Sequence, residues 1–244
     1  MELKVIDLSK KFNNILAVKN INFSIEKNKT LGLLGPNGCG KTTSIGMMLG
    51  LITPSSGKVL INNQILNTTN RISLLGMMNF ASPYIELPKK LTVFQNLKVY
   101  AKLYGVSNVN QRIDEMTEDL NLKDFLNKKT GELSSGQKNR VSLAKSLINN
   151  PKLLFLDEPT ASLDPDVGDF VRGYLESYKA KNELTILLAS HNMREVERLC
   201  DNIVMMKKGE IVDKGTCEEL VIKHGRNNLE ETFLKIARSK NELE

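Results

Sequence analysis

The chain has 244 residues, of which 41% are hydrophobic and 25% are charged, and its formal net charge at pH 7 is +6. This is the composition of a soluble globular protein, and a chain of this length buries enough apolar surface to fold without disulfide or metal cross-links. Aromatic residues make up only 5%, and there is no Trp. The sequence therefore lacks the stacking platform of a single-strand nucleic-acid binder, and the positive charge predicts a lysine-rich solvated surface.

The three cysteines are Cys39, Cys200 and Cys217. Their odd number and wide spacing argue against a disulfide framework or a metal cluster, so we expect reduced thiols and a cytosolic location. The amino-terminal residues carry no signal-peptide apolar segment, and no apolar run approaches the roughly 18 residues that span a bilayer. If this protein moves a solute across a membrane, we expect another chain to form the path.

The amino-terminal part of the sequence has the patterns of an α/β fold. Residues 3–25 alternate apolar and polar side chains as β-strands do. Residues 31–34 form an apolar run that ends at a glycine, which predicts a buried strand. A helix is predicted over about residues 41–49, and a further strand over residues 59–61.

The middle of the sequence, residues 82–149, has helical periodicity and predicts an inserted helical lobe. The α/β pattern then returns with a strand over residues 153–156. Asp164 and Pro165 predict a helix start with Asp as N-cap. A buried strand over residues 184–189, a hairpin over residues 203–212 and an amphipathic helical tail from Cys217 complete the prediction.

A phosphate-binding motif follows the first buried strand. Residues 35–42, GPNGCGKT, match G-x-x-x-x-G-K-[ST] without a gap. The glycines let successive N–H groups surround phosphate oxygens, and the following helix presents its positive end to the same anion. We expect Lys41 to bridge the β- and γ-phosphates of ATP, Thr42 to ligate Mg²⁺, and Cys39 to be a small filler rather than a redox switch. The predicted phosphate-binding residues are Gly35, Pro36, Asn37, Gly38, Cys39, Gly40, Lys41, Thr42 and Thr43.

A pair of carboxylates, Asp157 and Glu158, ends the strand predicted over residues 153–156. Ligands gather at the carboxyl edge of such buried parallel strands. Asp157 is predicted to hold Mg²⁺ as in a Walker B motif, and Glu158 to orient the attacking water.

The sequence Leu133-Ser134-Ser135-Gly136-Gln137 closely resembles the signature L-S-G-G-Q of ABC ATPases. Ser162-Leu163-Asp164 resembles the D-loop of that family, His191 its switch histidine, and Phe12 the aromatic residue under the adenine. The resemblance runs from about residue 2 to residue 215.

The resemblance implies a P-loop NTPase (RecA-like) core with a mostly parallel sheet, an N-terminal antiparallel β subdomain and an inserted α-helical subdomain. The implied boundaries are about 1–80 and 150–215 for the ATP-binding core with its β subdomain, about 82–149 for the helical signature subdomain, and about 216–244 for the tail. The family function is ATP hydrolysis with Mg²⁺, coupled to a separate integral membrane permease at the cytoplasmic face of the cell membrane. Residues 91–105 and 229–234 resemble cassettes of drug and polysaccharide exporters, which favours export.

The signature also predicts self-association. Ser134 or Ser135 can cap the helix that carries Val141 and Leu147, and that helix start is a second anion site. In the family it binds the γ-phosphate held by a partner subunit, which implies a two-fold homodimer enclosing two ATP molecules. Gly136, Gln137 and Asp164 belong to the same predicted interface.

Two positions depart from the family pattern. Ser135 stands where the family usually has glycine. No glutamine occurs at the Q-loop position, where Ser82 is the best match and would hold the metal shell more weakly or through a water. Residues 82–88 correspond to the groove that receives a short helix of the membrane partner, and their apolar character suits such a contact.

Two other functions stay open from the residues alone. One is a soluble ABC ATPase that acts on nucleic acid or ribosomes, although the coiled-coil arms, zinc elements or second cassette usual for that class are not found here, and no nucleic-acid partner is expected. The other is a weakly hydrolysing nucleotide-dependent regulator, which the missing glutamine motivates. His224 lies in a polar segment of the tail, and we expect it to be an ordinary structural residue.

Overall fold

The computed structural model describes residues 2–82, 86–161 and 163–238. In chain order its strands and helices are β1 (Leu3–Phe12), β2 (Ile15–Ile25), β3 (Thr30–Leu34), α1 (Lys41–Met48), β4 (Ser56–Ile61), β5 (Gln64–Ile65), α2 (Arg71–Gly76), β6 (Met78–Ala81), α3 (Val93–Leu103), α4 (Val109–Asp119), α5 (Ser135–Leu147), β7 (Leu153–Asp157), α6 (Pro165–Asn182), β8 (Thr185–Ala189), α7 (Met193–Leu199), β9 (Asn202–Lys207), β10 (Glu210–Gly215), α8 (Cys217–His224) and α9 (Leu229–Arg238). Two short 3₁₀ turns, Lys123–Phe125 and Thr130–Glu132, precede α5. None of the described helices is long and apolar enough to cross a bilayer.

The chain divides into two compact units, one formed by residues up to Arg71 and from Thr185 on, and the other by Ile72–Leu184. The first unit contains an antiparallel sheet in the order β2-β1-β4-β5. Strand β1 pairs with β2 and β4 on its two edges, and Leu3 lies opposite both Ile25 and Ile61. All three side chains are buried, so the alternation seen in residues 3–25 gives this sheet its core-facing side.

Strand β3 is the centre of the second group of strands in this unit. It is parallel to β8 on one side and to β9 on the other, and every residue of β3 is buried. A strand covered on both faces reads as a continuous apolar run, which explains why residues 31–34 predicted it. The hairpin of β9 and β10 turns through Lys208 and Gly209, both with positive φ, as a tight two-residue turn requires.

The tail of the first unit packs through an apolar cluster. Helices α7, α8 and α9 contribute Met193, Val196, Leu220 and Leu229 to it, with Phe233 and Ile236 packed on its side. The amphipathic helical tail predicted from Cys217 is therefore confirmed. On the polar side of α8, Lys223 and His224 contact Asp213 of β10.

The second unit combines the parallel pair β6–β7 with helices α3 to α6. The helical character predicted for residues 82–149 is confirmed by α3, α4 and α5. Strand β6 and the short helix α2 were not predicted. In α3, Leu97 and Ala101 are fully buried, whereas Phe94 and Tyr100 are half-buried.

The predicted helix start at Asp164 is found in α6, with Pro165 at the first helical position. The Asp164 side chain makes no capping hydrogen bond to the helix, so the start is set by Pro165, whose fixed φ favours the first turn. Elsewhere the predicted strands and helices are off by a few residues at their ends: α1 ends at Met48, and β4 begins at Ser56.

Candidate nucleotide-binding site

The loop between β3 and α1 is shaped by close backbone contacts. Gly40 has a φ of 107°, and a Cβ placed there would lie 2.7 Å from the carbonyl oxygen of Ala17. A Cβ on Gly35 would collide with the Cys39 Sγ and with the carbonyl oxygen of Met206. Only glycine satisfies both positions, since one needs a left-handed backbone and the other leaves no room for a methyl group.

Backbone hydrogen bonds hold this loop in its curled form. The Cys39 N–H donates to the Pro36 carbonyl at 3.2 Å, and the Gly209 N–H donates to the Cys39 carbonyl at 3.0 Å. Burial raises the pKa of the Cys39 thiol, although the Lys41 charge acts in the opposite direction. A buried thiol that stays protonated is a poor nucleophile, so Cys39 has the properties expected of a filler.

The charged end of the loop is Lys41. Its ammonium donates to the carbonyl of Gly35 at 2.5 Å and lies 3.4 Å from that of Pro36, which places the positive charge across the curled backbone. Helix α1 begins here with Gly40 as its N-cap, a residue that has no side chain to cap the first turn. Backbone N–H groups at a helix start and a lysine together form an anion-binding arrangement. Thr42 is exposed in the first turn, where its hydroxyl is accessible to a metal ion.

Two further predicted residues belong to the same unit as this loop. Leu33 of β3 pairs with Ala189 of β8 in parallel register, so Gly35 and His191 both follow at the carboxyl edge of the same strands. His191 is exposed. Phe12 ends β1 and is 45% exposed, with the Lys10 ammonium 5.0 Å from its ring centroid. The ring is therefore not core, and it lies at the end of the hairpin whose second strand carries Ala17.

The carboxylates lie in the second unit at the corresponding edge of β6 and β7. Ala81 pairs with Leu156, so Ser82 and Asp157 are the next residues on neighbouring parallel strands. Both are buried, at 5% and 6% exposure. Neighbouring strands are about 4.8 Å apart, so this register brings a hydroxyl and a carboxylate to one edge. Glu158 follows with a φ of 54°, a left-handed conformation that turns the chain away from the strand.

The predicted signature residues form the start of α5. Ser134 is the N-cap: its hydroxyl accepts from the Gln137 N–H at 3.3 Å, and the Gln137 side chain accepts from the Ser134 N–H at 3.0 Å. This reciprocal capping box selects Ser134 over Ser135 as the capping residue. Ser135 is exposed at the first helical position, and Gly136 lies beside Val167 of α6 with room for ordinary contact.

Ser82 and Ser135 line one cavity in the second unit. The cavity has a volume of about 380 Å³, and its walls include Leu156 and Val171. Strand β6 therefore ends at the same space as the signature helix begins. Asp164 is exposed at the start of α6.

Two predicted features lie partly outside the described residues. They are the D-loop, which includes Ser162, and the predicted groove, which includes Pro83, Tyr84 and Ile85. Sequence reasoning also missed the backbone of Ala17, Met206 and Gly209 as the walls of the phosphate loop. The Lys-Lys-Gly sequence at residues 207–209 predicts a hairpin, but it does not predict which residues that hairpin contacts.

His224, the last residue of α8, is held by Asp213 of β10. Its Nε2 lies 2.6 Å from one Asp213 oxygen, and the Lys223 ammonium donates to the other at 2.7 Å. Burial raises the pKa of Asp213, but the hydrogen bonds from Lys223 and His224 outweigh burial and hold that pKa below its usual value. This is an ordinary structural role for His224.

The loop, the two carboxylates and the capped signature helix occur in one continuous match to a known family. The family model for ABC transporters matches residues 18–161, more than half of the chain. The chain belongs to the ABC transporter family. It is an ATPase of the ABC type, and the predicted fold class is confirmed.

Curated ABC relatives cover most of the chain. The ABC transporter ATP-binding protein NatA of Bacillus subtilis is 30% identical over 243 residues, covering 95% of this chain and 96% of that protein. The Nod factor export ATP-binding protein I of a Rhizobium species is 33% identical over 229 residues, covering 92% and 75% respectively.

Solved ABC structures share the fold. An ATP-binding subunit of an ABC transporter superposes with a TM-score of 0.89 at 26% identity, covering 98% of this chain and 100% of that one. A bacterial ABC transporter cassette whose structure is dimeric has a TM-score of 0.81 at 25% identity, covering 88% and 98%.

Proposed function

We propose that this chain binds and hydrolyses MgATP as the cytoplasmic subunit of an exporter, and that it acts as a homodimer on a separate membrane permease. The observation that carries the proposal is the phosphate loop, in which two glycines that tolerate no side chain bring backbone N–H groups and the Lys41 ammonium to one place. Such a loop at the start of a helix binds a polyphosphate. Phe12 would stack on the adenine.

The residues that we assign to Mg²⁺ have the chemistry that this ion prefers. Thr42, Asp157 and Ser82 offer two hydroxyls and a carboxylate, which are the hard oxygen ligands that Mg²⁺ prefers. When bound, the ion neutralises charge on the phosphate oxygens. Ser82 has a shorter side chain than the family glutamine, so its contact with the metal shell would be weaker.

The chemical step needs a water directed at the γ-phosphate. We assign to Glu158 the acceptance of a hydrogen bond from that water, which aligns it for in-line attack, and to Lys41 the stabilisation of charge on the transferred group. His191 is assigned a contact to the phosphate or the water. Glu158 and His191 therefore act on the water and phosphate, while the loop holds the rest of the nucleotide.

The capped start of α5 supplies a second anion site. The Ser134 oxygen accepts the Gln137 N–H, yet its own O–H remains available to donate to a phosphate oxygen. We assign this donor, with Ser135, Gly136 and Gln137, to the nucleotide of a second copy, and Asp164 to the same interface. ATP would then close the dimer, and phosphate release would open it.

The subdomain boundaries near residues 80, 150 and 215 remain part of this proposal. Export is favoured because the Nod factor relative is named for export. The absence of glutamine at Ser82 favours one alternative, a regulator that binds ATP but hydrolyses it slowly. Phosphate release separates the two.

The test is a comparison of wild type with Glu158→Gln. Wild type is expected to release phosphate from MgATP. The variant is expected to bind ATP, lose more than about 99% of turnover, and accumulate as a dimer in light scattering. Lys41→Ala is the matched control, because it should lose ATP binding and stay monomeric. Undiminished turnover in Glu158→Gln would refute the assignment, and a monomer with trapped ATP would refute the dimer.

A further inference from the structure

Lys145, near the end of the signature helix, is half-buried, and its recorded contacts among the described residues include no carboxylate. The Lys145 ammonium donates to the carbonyl of Phe80 at 2.9 Å and lies 5.3 Å from the centroid of the Tyr100 ring. Burial lowers the pKa of Lys145 to about 8. Lysine is among the residues least often buried, so this contact calls for a reason.

The contact ties strand β6 to helix α5. Side chains satisfy both backbone groups of Phe80: Asn79 Oδ1 accepts its N–H at 2.8 Å, and Lys145 donates to its carbonyl. Asn79 also donates to the Lys145 carbonyl at 3.3 Å and to Asn149 at 2.9 Å. Strand β6 is thus held by β7 on one edge and by the end of α5 through Phe80.

The two elements joined in this way lead to the reaction centre. Ser82 follows Phe80 by two residues, and α5 begins at Ser135, ten residues before Lys145. Ser82 and Ser135 line the same cavity. A tie at the far end of α5, about 15 Å from Ser135, therefore fixes the strand end relative to the helix start.

We propose that Lys145 is a positioning residue for ATP hydrolysis: its ammonium, bound to the Phe80 carbonyl, keeps Ser82 in register beside Asp157 and fixed relative to the signature helix. This inference rests on the proposed function. The ammonium form is the effective one, because a charged donor makes a stronger hydrogen bond than an amine and only the cation is attracted to the Tyr100 ring. Among the described contacts of Lys145, Tyr100 of α3 is the titratable group that faces it, and the β6 residues Asn79 and Phe80 carry no charge.

The test measures kcat and KM for MgATP in wild type, Lys145→Met and Lys145→Arg, from about pH 6.5 to about pH 9.5. Lys145→Met keeps the length of the side chain but removes the donor, and its kcat should fall about tenfold with KM within about twofold, since the phosphate loop is unchanged. Wild-type kcat should fall as pH rises through about 8, because Lys145 loses its proton there. Lys145→Arg should keep most of kcat and show no such fall, because guanidinium stays charged.

Lys207→Met is the matched control. Lys207 is buried and, like Lys145, donates to a backbone carbonyl, that of Ile236 at 2.9 Å, but it holds the tail of the first unit. This variant should be less stable and yet keep the wild-type pH dependence. A purely structural role for Lys145 would move stability and leave the pH profile of Lys145→Arg like that of wild type.

The outcomes separate this inference from the proposed function. Wild type that releases no phosphate at any pH would refute the function. Active wild type without a fall near pH 8, or a Lys145→Arg variant that shares the fall, would refute only the role of Lys145. Wild-type kcat in Lys145→Met would do the same. If Lys145→Met fails to fold, the comparison of wild type with Lys145→Arg decides alone.

Discussion

The capping box at the start of α5 allows the stability role of Ser134 to be separated from its proposed contact with ATP. The box contains two hydrogen bonds between the exposed Ser134 and the half-buried Gln137, at 3.3 and 3.0 Å. Ser134→Ala leaves the Gln137 N–H without its side-chain acceptor and should cost about 1 kcal/mol, whereas Ser134→Gly, which lets water reach the same N–H, should cost only a few tenths. The helix carries the buried Val141, Leu143 and Leu147, so the loss should reach the whole second unit.

Urea unfolding followed by circular dichroism measures this difference. With a denaturant slope of about 3 kcal/mol/M, Ser134→Ala should lower the midpoint by about 0.3 M and Ser134→Gly by about 0.1 M. ATP turnover should respond differently: both variants lack the hydroxyl proton proposed to meet phosphate, and both should lose kcat equally, by more than about tenfold. Ser134→Thr keeps the hydroxyl and serves as the control. Turnover that follows stability across the three variants would show that Ser134 is only a cap.

Three further predictions address the loop, the tail and the adenine contact. Gly40→Ala places a methyl group 2.7 Å from the Ala17 carbonyl oxygen at a φ of 107°. This variant should lose about 2–4 kcal/mol of unfolding free energy and show no thermal shift with MgATP. Gly38→Ala is the control: the space around Gly38 is open, so the loss should be only about 1 kcal/mol. Asp213→Asn should lose about 1–2 kcal/mol at pH 7. Because the folded pKa of Asp213 is held below the unfolded value near 3.9, its stabilisation is present above about pH 4 and disappears as pH falls through the lower folded pKa, so melting curves of the two proteins should converge in acid. Phe12→Ala should leave stability within about 0.5 kcal/mol and raise KM for ATP about tenfold, and Phe12→Trp should restore it; an unchanged KM would remove Phe12 from the site.

Local patterns were enough to predict much of the fold. Strand β3 and its following helix could be placed because a continuous apolar run, a glycine turn and a helical segment occur in sequence. Strand β6 was missed because its four residues include a buried Asn, and it becomes a strand only by pairing with β7, more than seventy residues later. A pairing over that distance leaves no local pattern.

The candidate site could likewise be predicted from the sequence only in part. The residue types of the phosphate loop and the carboxylate pair are fixed by their chemistry and could be recognised. The choice between Ser134 and Ser135 as cap could not be made, since both are acceptable N-cap residues and only the hydrogen bond from Gln137 distinguishes them. The contact of Lys145 with Phe80 could not be predicted either, because a lysine on a helix is usually exposed and the sequence does not show that this one is partly buried.

Because the backbone at Glu158 is left-handed, the residue that would make the fold most stable there differs from the residue that ATP hydrolysis needs. A side chain with a Cβ costs about 1–2 kcal/mol in that conformation, a cost that glycine avoids and asparagine reduces. Random mutagenesis screened for heat resistance alone should therefore select Glu158→Gly or Glu158→Asn, and such proteins would withstand higher temperatures while hydrolysing no ATP. A screen that also demands turnover should return glutamate there every time.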